Sequence, residues 1–217
     1  MTTLKMDHIE ESGYCNSNKF ARIFLESMQE ITGKHGLNSI LNYAGLSALI
    51  SAFPPDNLEK EFDFSKFSMI NRALIEIYGE RGGRGIALRI GRTTFDDVLK
   101  DYGDLAGVSD KAFKMMPINS KIKFGLEGMA RIFSEKSDQL SSVIEGEDHI
   151  IYKVERCPVC WGRTNEDHPV CYYMVGLLQE GLHWVSGGKE FHVEETKCFA
   201  MGDEFCEFSI MKSPLGE

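Results

Sequence analysis

The stretch that decides the fold is residues 171–208, which read CYYMVGLLQEGLHWVSGGKEFHVEETKCFAMGDEFCEF. Apolar residues recur at helical spacing up to Gly187-Gly188, and the alternation then changes to that of a strand. We therefore predict a helix, a glycine turn, a strand over residues 191–196, a short turn and a second strand. This order brings four potential metal ligands into reach of one another: Cys171, Glu195, Cys198 and Cys206.

Asp167-His168-Pro169 is typical of a helix start, with an Asx cap followed by proline. It predicts that Cys171 lies in the first helical turn, where the helix dipole favours the thiolate that a metal needs. Gly176 and Gly181 are costly in a helix interior, which indicates that another backbone or a flat ligand approaches them closely.

Glu195 and Cys198 are three residues apart, so they would face opposite sides of a regular strand. Both can bind one metal ion only if the strand bends or bulges between them. Cys198 and Cys206 flank the predicted hairpin, a common way to present two sulfurs to zinc.

Zinc prefers four tetrahedral ligands, and two ligand sets compete in this sequence. Cys157-Pro-Val-Cys160 is a Cys-x-x-Cys knuckle, and spacing alone mildly favours joining it to the hairpin cysteines. The first set is therefore Cys157, Cys160, Cys198 and Cys206, and the second is Cys171, Glu195, Cys198 and Cys206.

The front of the chain has helical periodicity, and the period becomes strand-like after residue 140. We predict an α+β fold in one domain, 1–217, with a mainly helical front (1–140) and an α+β back (141–217). Helices are expected from Asn16-Ser17 to Gly33 or Gly36, over 37–53, 66–78 and 86–102, and from Asn119 or Ser120 onward. Residues 79–85 should form a tight turn, and strands should cover 141–145 and 149–155.

Composition narrows the classes of function. The formal charge of −9 and the lack of a Lys/Arg stripe argue against a nucleic-acid partner. No apolar run is long enough for a membrane span, and the N-terminus lacks the apolar core of a signal peptide. A cytoplasmic protein with reduced thiols is therefore expected, in which clustered cysteines bind metal rather than form disulfides.

Residues 171–208 resemble the 4-vinyl reductase (4VR) small-molecule-binding domain family. The resemblance rests on Cys171, Gly176, Gly181, the Glu195-x-x-Cys198 step, Gly202, and Cys206 followed by Phe208. It implies a fold like that of transport protein particle (TRAPP) subunits, with helices packed on one antiparallel sheet, usually as a homodimer. It also implies a structural zinc on Cys171, Glu195, Cys198 and Cys206, the set that we expect; Cys157 and Cys160 are then alternative ligands, a second half-site, a redox pair or plain thiols.

The family includes proteins of bacteriochlorophyll synthesis and sensor domains for aromatic hydrocarbons. Those sensors hold phenol with a Trp and a His, whereas residues 118–152 here contain His149 and no Trp, which argues against phenol. The resemblance implies a zinc-containing carrier or sensor of a hydrophobic small molecule, such as a tetrapyrrole precursor of bacteriochlorophyll. One alternative is a vinyl reductase, although no nucleotide fingerprint, flavin motif or catalytic pair is evident; another is a dimeric interaction scaffold, with the 37–53 helix at its interface.

Overall fold

The computed structural model describes residues 8–106, 113 and 115–216, and it has an α+β architecture. The back of the chain forms a four-stranded antiparallel sheet, and the front supplies most of the helices. In chain order the elements are β1 (Cys15–Ser17), α1 (Asn18–Tyr43), α2 (Ala48–Ser51), β2 (Lys60–Asp63), α3 (Phe64–Ala106), α4 (Ile118–Lys136), β3 (Ser141–Glu145), β4 (His149–Val154), α5 (Tyr172–Ser186), β5 (Phe191–Lys197) and β6 (Cys206–Pro214).

The sheet has the order β3-β4-β6-β5, and every neighbouring pair is antiparallel. Alternate residues of β4, β5 and β6 are buried, so one face of the sheet packs on the protein interior and the other faces outward. The predicted strands at 141–145 and 149–155 are confirmed to within one residue. Cys206, Phe208 and Ile210 are fully buried on the inner face.

A second, two-stranded sheet joins β1 to β2 at the front of the chain, where the sequence predicted a single sheet. Asp63, at the end of β2, accepts hydrogen bonds from the backbone N–H groups of Ser12, Gly13 and Ser65. Ser17 caps α1 by accepting from the Phe20 N–H, as its position predicted.

The front helices are kinked rather than separated. α1 continues through Gly33 and α3 through Gly79, each with φ +73°, so each break takes one left-handed glycine. The turn predicted over residues 79–85 is therefore wrong, because residues 80–85 are helical. The helix predicted over 37–53 is also too long: α1 ends at Tyr43, since Gly45 adopts φ +74°.

α5 crosses α3 at a point where two backbones touch. A Cβ on Gly176 of α5 would overlap the Leu88 carbonyl of α3, and a Cβ on Gly91 of α3 would overlap the Tyr173 carbonyl of α5. The close approach predicted at Gly176 is thus made by a backbone. Among the described residues, no helix is both long and apolar enough to cross a bilayer.

Gly176→Ala is expected to lower the free energy of unfolding by about 2 kcal/mol or more, because the added methyl overlaps a backbone oxygen that cannot move alone. Gly85→Ala is the matched control, since nothing lies within 4 Å of a Cβ at that helical position. The control should raise stability by up to about 1 kcal/mol. Urea unfolding followed by circular dichroism measures both, and equal stability of the two variants would contradict the backbone contact.

Candidate metal centre

Five cysteines converge at the end of the sheet where α5 begins. Cys157 and Cys160 come from the loop between β4 and α5, Cys171 precedes the first residue of α5, Cys198 follows β5, and Cys206 opens β6. All five are at most 2% exposed. They are free thiols, as predicted for a reducing environment.

The sulfur–sulfur distances match those of a tetrahedral metal site. Cys171 Sγ lies 3.6 Å from Cys157 Sγ, 3.9 Å from Cys198 Sγ and 4.0 Å from Cys206 Sγ, and Cys160 Sγ lies 3.5 Å from Cys206 Sγ. Four sulfurs at about 2.3 Å from one ion stand roughly 3.8 Å apart. The cluster therefore has the dimensions that a bound metal ion requires.

Local backbone geometry positions each ligand. α5 starts at Tyr172, so the predicted start at Asp167 is wrong and Cys171 occupies the cap position instead of the first turn. The register of β5 shifts between Glu195 and Lys197, which is the irregularity that the spacing of Glu195 and Cys198 demanded.

The hairpin and the Cys-x-x-Cys loop are held by turns of their own. The Cys198 N–H donates to the Asp203 carboxylate, and Gly202 has φ +99°. In the knuckle, the Cys160 carbonyl accepts from the Arg163 N–H across Gly162, whose φ is +71°. Both turns fix the backbone from which the sulfurs point inward.

Glu195 completes the cluster as an oxygen donor. Its Oε2 accepts a hydrogen bond of 2.7 Å from the Cys171 N–H, while its Oε1 is buried and has no hydrogen-bond partner. Burial, together with negative charge at Cys198 and Cys157, raises the pKa of Glu195 to about 9. A cation at this position would satisfy the unpartnered oxygen and restore the carboxylate, so the residues fit a metal ion.

The thiols share protons unequally without a metal. Burial opposes ionisation of Cys157, but hydrogen bonds from Cys160, Cys171 and Cys206 outweigh it and lower its pKa. Hydrogen bonds, first from Cys160, also lower the pKa of Cys198. The pKa values of Cys160, Cys171 and Cys206 are raised, so these thiols act as donors to the other two.

Two overlapping sets of four ligand atoms each lie within 4.8 Å of one another, and both contain Cys171 and Cys206. One is the set that the family resemblance implied. The other joins the knuckle to Cys171, a combination that sequence spacing did not suggest. The sets are Cys171, Glu195, Cys198 and Cys206, and Cys157, Cys160, Cys171 and Cys206.

An apolar cavity of about 50 Å³ lies between α3, α4 and α5, along the second half of α5. The Tyr102 hydroxyl in its wall is buried without a hydrogen-bond partner, and burial raises the pKa of Tyr102 more than the nearby Ser17 lowers it. The helical stripe of residues 86–102 could have indicated Tyr102, because it follows Phe95 by two turns. The lining is Phe95, Val98, Leu99, Tyr102, Ile122, Gly125, Leu126, Met129, Ile132, Phe133, Leu177, Gly181, Leu182, Trp184 and Val185.

The histidines considered in the sequence lie away from the cavity and the thiols. His149 contacts Asp148, and His168 contacts Glu80 and Asp167, all on the surface. His183 and His192 form ion pairs with glutamates of their own neighbourhood. Among the described residues, the cavity lining contains no histidine or cysteine.

Residues 150–212 match the family model of the 4-vinyl reductase domain, which confirms the family resemblance of this segment. Uncharacterized protein MJ0745 of Methanocaldococcus jannaschii is 33% identical over 67 residues, which are 31% of this chain and 36% of that protein. The chain thus matches about a third of the length of this curated relative.

Solved structures share the fold at low identity. An H-NOX protein of T. tengcongensis has a TM-score of 0.58 at 14% identity, covering 92% of this chain and 99% of its own. An H-NOX protein from S. oneidensis has a TM-score of 0.54 at 12% identity, covering 89% and 98%. The phenol-responsive sensory domain of the transcription activator PoxR, solved with phenol, has a TM-score of 0.50 at 14% identity, covering 68% and 73%.

Cys171→Ser is expected to reduce bound metal and to destabilise the metal-loaded protein by about 3 kcal/mol, which is a drop of roughly 6–12 °C in melting temperature. The reason is that Cys171 belongs to both ligand sets. Cys15→Ser is the control, because Cys15 is the cysteine outside the cluster. Elemental analysis and calorimetry check the result; unchanged metal content in Cys171→Ser would contradict the site.

Proposed function

We propose that this protein, with its 4-vinyl reductase domain, is a metal-containing sensor or carrier of a small hydrophobic molecule. The single observation that carries the proposal is that one helix, α5, borders both sites. Its cap residue Cys171 lies in the thiol cluster, and its second half, including Gly181 and Leu182, lines the apolar cavity. A ligand that shifts α5 would therefore also strain the cluster, and a metal would hold α5 in place for the ligand.

The metal that we propose is zinc, bound by Cys171, Glu195, Cys198 and Cys206. With its four positions filled by protein ligands, such a zinc would act as a structural cross-link. The chain's own groups support the arrangement: the Cys171 N–H orients Glu195, and Asp203 holds the Cys198 backbone. These hydrogen bonds fix the ligand positions before the metal binds.

The cavity determines the class of ligand. Its walls are apolar, and the Tyr102 hydroxyl offers one hydrogen bond inside it. A volume of about 50 Å³ is below the ~150 Å³ of an apolar cavity that takes up benzene, so binding has to widen it. Met129, a flexible side chain, and Trp184, which is 40% exposed at the rim, can move to do so. A compact apolar molecule with one hydrogen-bonding group fits these walls.

A tetrapyrrole is the second candidate ligand, including the bacteriochlorophyll precursor that the sequence suggested. The observation in its favour is the likeness to H-NOX proteins over about nine-tenths of the chain, since one of the matched structures concerns heme distortion in the H-NOX family. Against it, the cavity is small and its lining has no histidine or cysteine to serve as an axial ligand among the described residues. Addition of hemin with a shift of its Soret band would favour the tetrapyrrole.

Tyr102→Phe is expected to weaken binding of p-cresol about 5- to 30-fold, because it removes one buried hydrogen bond worth about 1–2 kcal/mol. Binding of p-xylene, the same shape without the hydroxyl, should not change. Isothermal titration calorimetry of the metal-loaded protein measures both ligands.

The matched control is Tyr152→Phe, since the Tyr152 hydroxyl is also buried and unpartnered but lies on β4, outside the cavity lining. This variant should bind p-cresol as the unsubstituted protein does. Failure of the unsubstituted protein to bind either compound, with no Soret shift from hemin, would count against a small-molecule site in this cavity.

A further inference from the structure

We propose that the cysteine cluster binds two divalent metal ions, bridged by the thiolates of Cys171 and Cys206. Cys157 and Cys160 complete the first ion's ligands, and Glu195 and Cys198 complete those of the second. This inference rests on the metal-binding part of the proposed function and is independent of the small-molecule part.

The first argument is the surplus of ligands. A single tetrahedral ion uses four donors, whereas six buried donors meet here. If one ion took the set with Glu195, the Cys157 and Cys160 sulfurs would stay unused, only 3.6 and 3.5 Å from the bound sulfurs of Cys171 and Cys206. Such a pair of buried sulfurs is itself half of a tetrahedral site.

The reverse assignment also leaves a defect. If one ion took the set with Cys157 and Cys160, the Glu195 Oε1 would remain buried without a partner, although Glu195 is only 7% exposed. Cys198, which is fully buried beside Cys171 at 3.9 Å, would be unused as well. Only occupancy of both sets uses every buried donor.

The second argument is the way in which the sets overlap. Each set is a complete tetrad within 4.8 Å, and the two have one pair in common, Cys171 and Cys206. The six ligand atoms do not form one group at this distance, so the outer pairs extend from the shared pair separately. Two tetrahedra that share an edge have this pattern. The shared sulfurs, now 4.0 Å apart, need to close by a few tenths of an ångström to place two ions about 3 Å apart.

The third argument is charge. Five thiolates and one carboxylate carry six negative charges in a site with almost no exposure to water. One divalent ion leaves four of these charges, which have to be removed by protonation, whereas two ions leave two. A second cation therefore allows all six donors to be deprotonated, as metal ligands must be.

The test is the metal content of the full chain, purified without oxygen and loaded with Zn²⁺ or with ¹¹³Cd²⁺. Two ions per chain are expected for the unsubstituted protein and for Cys15→Ser. The double variants Cys157→Ser/Cys160→Ser and Glu195→Gln/Cys198→Ser each remove the outer ligands of one ion, so each should bind one ion. Because each keeps the bridging thiols and one complete set, the two double variants remain informative even if Cys171→Ser fails to fold.

Bridging is measured by ¹¹³Cd NMR. Two resonances that split each other through shared sulfurs are expected in the unsubstituted protein, and one unsplit resonance in each double variant. One ion per chain with two thiols reactive toward Ellman's reagent, or two resonances without mutual splitting, would overturn the proposal. One ion per chain would leave the proposed function intact, whereas no bound metal would remove its metal site as well; p-cresol binding reports separately on the cavity.

Discussion

The meeting of Cys171 with the sheet is the constraint on which the rest of the structure depends. This residue joins the cap of α5 to β5 through its N–H and the Glu195 carboxylate, and to the hairpin through sulfur. Helix ends are ordinarily satisfied by capping side chains or water. Here the cap is buried among metal-ligand groups, so the position of α5 is tied to the state of the cluster.

The middle of α5 has no freedom to adjust independently. At Gly176 and Gly91 the backbones of α5 and α3 are in contact, without side chains between them that could repack. A displacement of α5 therefore moves α3 or tilts α5 about this crossing. Because the cavity lies on one side of the crossing and the cluster on the other, a tilt couples the two sites mechanically.

Much of the fold was readable from local pattern. The strands at 141–145 and 149–154, the end of α5 at Gly187, and the buried face of β6 follow from periodicity and from glycine with positive φ. The bulge beside Glu195 was also predictable, since the spacing to Cys198 allowed no other way to share an ion. Helix breaks were less predictable: Gly79 alone makes the kink in α3, and the other glycines of that segment stay helical. Several glycines in a row show that a break is permitted, but packing selects the residue at which it occurs.

The sequence by itself determined which residues can ligate metal, which faces of helix and strand are apolar, and the α+β class. These properties depend on side-chain chemistry and on periods of a few residues, which are local. Only the tertiary structure decided that Cys157 and Cys160 lie beside Cys171 and Cys206, and that Tyr102 faces a cavity bordered by α5. The physical reason is that distances between elements far apart in the chain are set by the packing of the whole core, to which no single stretch of sequence corresponds.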